Sequence, residues 1–233
     1  MPYYGFYFDP TYLLFLIGVV LCMIASARVK TTYKKYEKVG SRSGYTADQV
    51  AYMILRNAGI TDVSIHHISG DLTDNYNPKE HTLNLSDSVY GSRSIAAIGV
   101  AAHECGHAVQ HARAYAPLTM RSKLVPVVSF ASNIMTWVLL GGILMLNTFP
   151  QLLLAGIILF AMTTLFSFIT LPVEINASKR ALVWLSNSGI TNSYNHAQAE
   201  DALRSAAYTY VVAALGSLAT LIYYTMIFLG RRE

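Results

Sequence analysis

The chain has 233 residues and a net charge of +4, and only 13% of its residues are charged whereas 53% are hydrophobic. That charged fraction is about half of what a soluble globular domain carries, so composition excludes an ordinary soluble protein. The basic residues form no dense stripe with interleaved aromatic side chains, which argues against a nucleic-acid-binding protein. Charges concentrate in residues 28–123 and 174–204, and long apolar runs make up the rest. The sequence therefore predicts a membrane protein with a compact polar part.

The first apolar segment, residues 12–27, is at the short end of the roughly 17–25 residues that a spanning helix requires. Its end, Ala25-Ser26-Ala27, resembles a signal-peptidase site, so a cleaved secretory signal is the alternative interpretation. A signal peptide has basic residues before its apolar run, whereas here they all follow it, within residues 28–38. We therefore predict that residues 1–27 form an uncleaved N-terminal membrane anchor.

Three further apolar segments occupy residues 124–146, 152–171 and 206–229. The first two contain no charged residue and are separated by a linker so short that it predicts a tight turn, so residues 124–171 are predicted to form a transmembrane hairpin. The last segment contains four tyrosines, which leaves a buried or interfacial helix as its alternative. About four transmembrane helices are expected, with residues 206–233 forming the C-terminal one.

The distribution of basic residues predicts the orientation. Residues 28–123 hold twelve of the seventeen lysines and arginines, so this segment is expected on the cytoplasmic side. The hairpin returns the chain to the same side, which places residues 172–205 there too. The expected location is therefore a multi-pass protein of the cell membrane whose polar segments are cytoplasmic.

Between the apolar segments, the sequence predicts a small α+β part. Helices are predicted over residues 46–59 and 94–112, strands over 63–68 and 81–86, and a loop over 70–78. Thr46 is the predicted N-cap and Gly59 the predicted C-cap of the first helix. His66 and His67 are adjacent in a strand and face opposite sides, so they cannot serve one metal and are interpreted as structural. Cys22 and Cys105 show no sign of a disulfide framework.

The second predicted helix contains His103-Glu-Cys-Gly-His107, which is the pattern His-Glu-x-x-His. Residues four apart lie on one helical face, so His103 and His107 can direct their imidazoles at one Zn²⁺ ion. Glu104 lies beside the metal without binding it and can take a proton from an attacking water. Zinc with three protein ligands keeps a fourth position for that water. Small neighbours such as Ala102 and Gly106 suit a helix that crosses close to another element.

The third ligand has two candidates in the sequence. His111 lies on roughly the same face as His103, but the residues after it do not continue the metzincin pattern, so it is interpreted as a residue near the site or on the surface. Glu174 follows the hairpin directly and is the only acidic residue between Glu104 and Glu200. It is the preferred candidate.

These motifs carry a family resemblance that covers nearly the whole chain. The chain resembles the YugP-type membrane zinc metallopeptidases, or neutral zinc metallopeptidase family 2, and more distantly the gluzincin membrane proteases of the HtpX and prenyl-protease type. The resemblance rests on the zinc-helix motif, on Ala108-Val-Gln110 directly after it, and on these further segments: Asp74-Asn-Tyr-Asn-Pro78, Leu83-Asn-Leu-Ser86, Ser94-Ile-Ala-Ala97, Leu171-Pro-Val-Glu-Ile-Asn-Ala-Ser178 and Ala206-Ala-Tyr-Thr-Tyr-Val-Val-Ala213.

The resemblance implies that Glu174 is the third zinc ligand and that the fold is an α-helical membrane protein with a small zincin-like cytoplasmic catalytic part. Ala177 matches the wider pattern, whereas Ser178 occupies a position where that group usually has Asp, and Asn176 stands where we also expect Asp. It further suggests that residues 81–86 form the edge strand beside the cleft, where an extended substrate would add by backbone pairing.

A hydrogen-bond donor near the developing oxyanion is also expected. The second polar segment offers His196, Arg204, Tyr208 and Tyr210, of which Tyr210 is preferred.

The sequence thus predicts a membrane-embedded zinc endopeptidase that cuts membrane or misfolded proteins at the cytoplasmic face of the lipid bilayer. An inactive zinc-bearing scaffold or adaptor is the alternative, although a scaffold has no need of Glu104. A transporter or channel would place charged residues inside its spans, and the hairpin has none.

Overall fold

A computed structural model describes residues 10–230 of the chain. Within this range the chain forms six helices and a three-stranded sheet. The elements in chain order are α1 (Pro10–Tyr36), α2 (Ala47–Asn57), β1 (Ser64–Ile68), β2 (Asn75–Asn77), β3 (Thr82–Ser86), α3 (Ile95–Ala112), α4 (Ala116–Leu144), α5 (Pro150–Asn187) and α6 (His196–Gly230). The predicted fold class, a helical membrane protein with a small α+β part, is confirmed.

The chain divides into two compact units. One contains the described residues up to Ile24, Lys123–Ile169, and the described residues from Val211 onward. The other contains Ala25–Ser122 and Thr170–Tyr210. The first is called the apolar unit below and the second the polar unit.

Helix α2 shows how the polar unit builds its core. Val50, Ala51, Ile54 and Leu55 are buried on one face of this amphipathic helix. Thr46 is the N-cap, as predicted. The C-cap is Ala58, and Gly59 follows it with φ of 75°, so that the amides of residues 59 and 60 bond to carbonyls of the last turn. Glycine suits this left-handed position because it has no Cβ.

The sheet has the strand order β1-β3-β2. Strand β1 pairs in parallel with β3, and β2 pairs antiparallel with β3. The expectation that residues 81–86 form an edge strand is therefore wrong, since β3 is central and β2 is one of the two edges. Strand β2 lies in the predicted loop. It is held there by the Asp74 carboxylate, which accepts hydrogen bonds from the Ser86 amide (2.8 Å) and hydroxyl (2.9 Å).

In the apolar unit, α4 and α5 pack closely through glycines. A Cβ added to Gly142 would lie 2.5 Å from the Cα of Leu153, and one added to Gly156 would meet Leu139 at 2.7 Å. Small residues permit such close approach of helix backbones in membranes. Large apolar side chains cover the outside of this unit, and Trp137, for example, is 73% exposed. Such a surface suits contact with lipid.

Four of the helices, α1, α4, α5 and α6, are long and apolar enough to cross a membrane. Each extends beyond its predicted span. Helix α4 begins at Ala116, α5 continues through Pro172 to Asn187, and α6 begins at His196. The predicted polar segment 172–205 is therefore largely helical and continuous with α5 and α6. Proline is tolerated within such helices because neighbouring groups satisfy the freed carbonyl.

Candidate active site

Helix α3 places the two histidines of the motif. The helix begins after Ser94, whose hydroxyl accepts a hydrogen bond from the Ala97 amide (3.1 Å). Because His103 and His107 are four residues apart, they lie on one face, and their ring centroids are 4.8 Å apart. Cys105 is fully buried on the other side of the helix, where its thiol donates to the Ala51 carbonyl (3.6 Å), and burial raises its thiol pKa. The thiol is therefore not directed at the histidines.

Glu174 of α5 meets both imidazoles. Its Oε2 lies 3.3 Å from His103 Nε2 and 3.5 Å from His107 Nε2, and one ligand atom from each of the three residues lies within 4.8 Å of the others. In a tetrahedral site with zinc–ligand bonds of about 2.0–2.2 Å, neighbouring donor atoms are roughly 3.3–3.5 Å apart. Two imidazoles and one carboxylate are a common ligand set for zinc. The spacing and chemistry of these donors thus fit a zinc ion.

The outer nitrogens of both histidines are anchored. His103 Nδ1 lies 3.0 Å from the Ser178 hydroxyl, and His107 Nδ1 lies 3.1 Å from Gln110 Oε1. An amide oxygen only accepts, so His107 carries its proton on Nδ1 and leaves Nε2 free to bind a metal. Such contacts fix the tautomer and orientation of metal-binding histidines. Ser178, at the position expected to be acidic in the wider group, therefore still contacts His103.

Helices α3 and α5 cross closely beside these donors. A Cβ added to Gly106 would lie 2.7 Å from the Ala177 carbonyl oxygen. The fully buried Gln110 also bridges the helices, because its amide donates to the Val173 carbonyl (2.8 Å) and to Asn176 Oδ1 (3.0 Å). The close crossing expected from the small residues of the motif is confirmed. Sequence reasoning missed the role of Gln110, whose only signal was its place in the family motif.

Glu104 lines a cavity of about 220 Å³ together with His103 and Glu174. Burial raises the pKa of its carboxyl, and the adjacent His107 and His103 oppose that rise. Most of the other lining residues are apolar: Val29, Leu72, Val100, Ala202, Leu203, Ala206 and Ala207. The cavity therefore joins the Glu104 and Asp74 carboxylates and two of the three candidate metal donors, His103 and Glu174, to a largely apolar wall.

The four candidate oxyanion donors predicted from the sequence do not all lie at the cavity. Tyr210 lines the same cavity as Glu104 and Glu174. Tyr208 is instead stacked under Arg28, whose guanidinium carbon lies 5.5 Å from the ring centroid. His196 Nδ1 contacts the Thr191 hydroxyl at 2.9 Å, and Arg204 is not among the cavity-lining residues. Of the four oxyanion candidates, only Tyr210 is placed at the site.

The other histidines lie outside the donor group. His111 Nδ1 contacts the Tyr76 hydroxyl at 3.0 Å on the surface. His66 and His67, on adjacent positions of β1, bond to Ser64 and Asp87 respectively. All three are thus engaged as ordinary polar residues.

Arg121, at the start of α4, was not predicted from the sequence. Its Nη1 lies 3.0 Å from Glu174 Oε1, the carboxylate oxygen that does not face the histidines. In the sequence Arg121 is one of several basic residues ahead of an apolar run, so it was interpreted only as a topology signal.

The described residues thus combine an HExxH helix with a glutamate from a second helix, in a chain with four helices that are long and apolar enough to cross a membrane. The profile of the family described as "Putative neutral zinc metallopeptidase" matches residues 11–229, and the chain belongs to this family. The chain is also 43% identical over 209 residues to "Putative membrane protease YugP" of Bacillus subtilis (strain 168), covering 90% of this chain and 92% of that protein. No solved structure matches the chain. The family resemblance inferred from the motifs is thus confirmed. The coarser prediction that the chain is a membrane protease is confirmed with it.

Proposed function

We propose that the protein is a zinc-dependent endopeptidase in which His103, His107 and Glu174 hold the metal and Glu104 is the general base. The observation that carries this proposal is the group of three donors, whose spacings of 3.3 and 3.5 Å match the edges of a tetrahedral zinc site. Zinc would supply Lewis acidity, which makes water nucleophilic near neutral pH.

Other residues of the cavity would then have separate roles in hydrolysis. Glu104 takes a proton from the attacking water and passes it to the leaving amine. Tyr210, in the same cavity, donates a hydrogen bond to the oxyanion that develops on the scissile carbonyl. The apolar wall of the cavity accepts an apolar side chain beside the cleaved bond. We further propose that the polar unit faces the cytoplasm and that the substrates are membrane or misfolded proteins.

A Glu104→Gln variant tests the proposal. The amide preserves size but cannot take a proton, so we expect zinc content equal to wild type and cleavage lowered by about 10²–10⁴-fold. Cleavage of unfolded β-casein by the detergent-purified protein would be followed by mass spectrometry, which also identifies the cut bonds. Those bonds are expected beside apolar residues.

The exposed Glu200 supplies the matched control, because Glu200→Gln makes the same change of carboxylate to amide at a residue that does not line the cavity. Wild-type cleavage should also stop with a zinc chelator and return with added zinc. A Glu104→Gln protein that cleaves as fast as wild type would contradict proteolysis at this site. Zinc binding without cleavage in the wild type would favour the scaffold alternative.

A further inference from the structure

The two carboxylate oxygens of Glu174 contact different kinds of side chain. Its Oε2 faces His103 and His107, whereas its Oε1 accepts a hydrogen bond from Arg121 Nη1 at 3.0 Å. The Glu174 side chain is only 3% exposed and that of Arg121 is 30% exposed. Each oxygen of the buried Glu174 carboxylate therefore has its own partners.

A charged partner on one oxygen restricts how the other can bind a metal. A carboxylate with both oxygens free can turn and chelate with the two together, which fills the position that a catalytic zinc site leaves for water. A guanidinium that bonds Oε1 opposes this rotation and compensates the buried charge of Glu174. The contact thus favours binding through Oε2 alone.

We propose that Arg121 is a positioning residue that holds Glu174 to one-oxygen coordination and thereby sets both zinc affinity and the open coordination position. This inference rests on the proposed zinc site. Within residues 10–230, Arg121 is the only lysine or arginine side chain ion-paired with Glu174.

One observation separates this role from substrate binding. Arg121 is not among the residues that line the cavity, although Glu174 is, so the guanidinium approaches the carboxylate from outside the reaction space. Arg121 therefore acts through Glu174.

The first test measures the zinc dissociation constant of the full-length protein in detergent by competition with a chromophoric chelator. We expect Arg121→Gln to weaken zinc binding by about 10–100-fold, the usual effect of losing a partner that orients a metal ligand. Arg121→Lys keeps the charge but not the planar fork, so its affinity should lie between the two. Arg113→Gln is the matched control, since Arg113 is exposed and forms no ion pair within the described part of the chain.

The second test reports coordination and does not depend on activity. With Co²⁺ alone bound in place of zinc, a four-coordinate site absorbs visible light more strongly than a five-coordinate one. We expect Arg121→Gln to weaken these bands relative to wild type and to Arg113→Gln. In a Glu174→Ala background, the same arginine substitution should change metal affinity little, because the two residues act as one unit.

Unchanged metal affinity and an unchanged Co²⁺ spectrum in Arg121→Gln would overturn the inference. So would a variant that keeps wild-type zinc affinity and loses only turnover, because that result assigns Arg121 to catalysis. If Arg121→Gln does not fold, judged by circular dichroism, Arg121→Lys decides: wild-type affinity would overturn the inference and intermediate affinity would support it. A wild type without stoichiometric zinc would instead refute the proposed metal site itself.

Discussion

Each residue of the candidate metal centre has its own structural support. The two histidines depend on Ser178 and Gln110 for the orientation of their rings, and Glu174 depends on Arg121. Support of this kind matters because a ligand that is free to rotate loses part of its binding energy to conformational entropy. These contacts thus hold the three candidate donors close together.

Glu174→Ala should remove one of three ligands and leave two imidazoles with water. We expect zinc in the purified protein to fall from about one ion per chain to well below that, because catalytic zinc sites normally have three protein ligands. Metal content measured by mass spectrometry after dialysis checks this. His111→Ala is the control, since His111 lies outside the donor group and should leave zinc unchanged. Equal zinc in wild type and Glu174→Ala would remove Glu174 from the site.

Tyr210→Phe separates metal binding from oxyanion stabilisation. The substitution removes one hydroxyl from the cavity and leaves the three donors intact, so zinc content should not change. Loss of a single oxyanion donor lowers kcat by about 10²–10³-fold in a well-studied protease, and a loss of 10-fold or more is expected here. Steady-state cleavage of one fluorogenic peptide, with Tyr208→Phe as the control, gives the comparison. An unaltered kcat would show that another group stabilises the oxyanion.

At the scale of secondary-structure elements, the crossing of α3 and α5 brings the two histidines of α3 close to Glu174 of α5. Gly106 lies against the backbone of Ala177, three residues after Glu174. A larger residue at position 106 would increase the separation of the helices that carry the donors. The glycine inside the zinc motif is therefore a packing requirement as well as part of a pattern.

Two glycines of α3 allow a matched experiment. Gly106→Ala would place its Cβ 2.7 Å from a backbone oxygen, and such overpacking costs about 1–3 kcal/mol. Gly99→Ala would meet only Leu203 Cγ at 3.8 Å, an ordinary contact, and should stabilise the helix by about 0.5–1 kcal/mol. We expect Gly106→Ala alone to lower both the melting temperature and zinc affinity. If the two variants behave alike, the crossing tolerates a methyl group and this reasoning is wrong.

Sequence patterns predicted the structural features that are set by residues adjacent in the chain. The spacing of His103 and His107 follows from helix geometry, and the caps at Thr46 and Ser94 are local signals as well. The pairing order of the strands is not local, which is why β3 was mistaken for an edge. Strand β2 escaped prediction because it is three residues long and owes its place to the hydrogen bonds that Ser86 donates to Asp74.

The residues that contact the candidate metal ligands from distant parts of the sequence were still harder to predict. Arg121 lies 53 residues from Glu174 in sequence, and Gln110 lies 63 residues from Val173. Nothing in the periodicity of either segment specifies such a pair. Glu174 itself was found because acidic residues are so scarce in this part of the chain and because the family motif contains it.

At the scale of the whole molecule, the distribution of charge along the sequence predicts how the chain crosses the membrane. The basic residues of segment 28–123 predict a cytoplasmic polar unit. The absence of charge in segments 124–146 and 152–171 predicts that the hairpin crosses the membrane twice.

Two reporters, each with one introduced cysteine, test this topology. Lys79→Cys lies at an exposed position of the polar unit and Asn147→Cys at an exposed position of the hairpin turn, each in a Cys22→Ser background. The remaining Cys105 is fully buried, so the background protein serves as the unlabelled control. A membrane-impermeant maleimide should label position 147 in intact cells and position 79 only in inverted vesicles. Labelling of both positions from the same side would mean that the hairpin does not span. Exchange of the two patterns would place the polar unit outside the cell, where its substrates would be extracytoplasmic proteins.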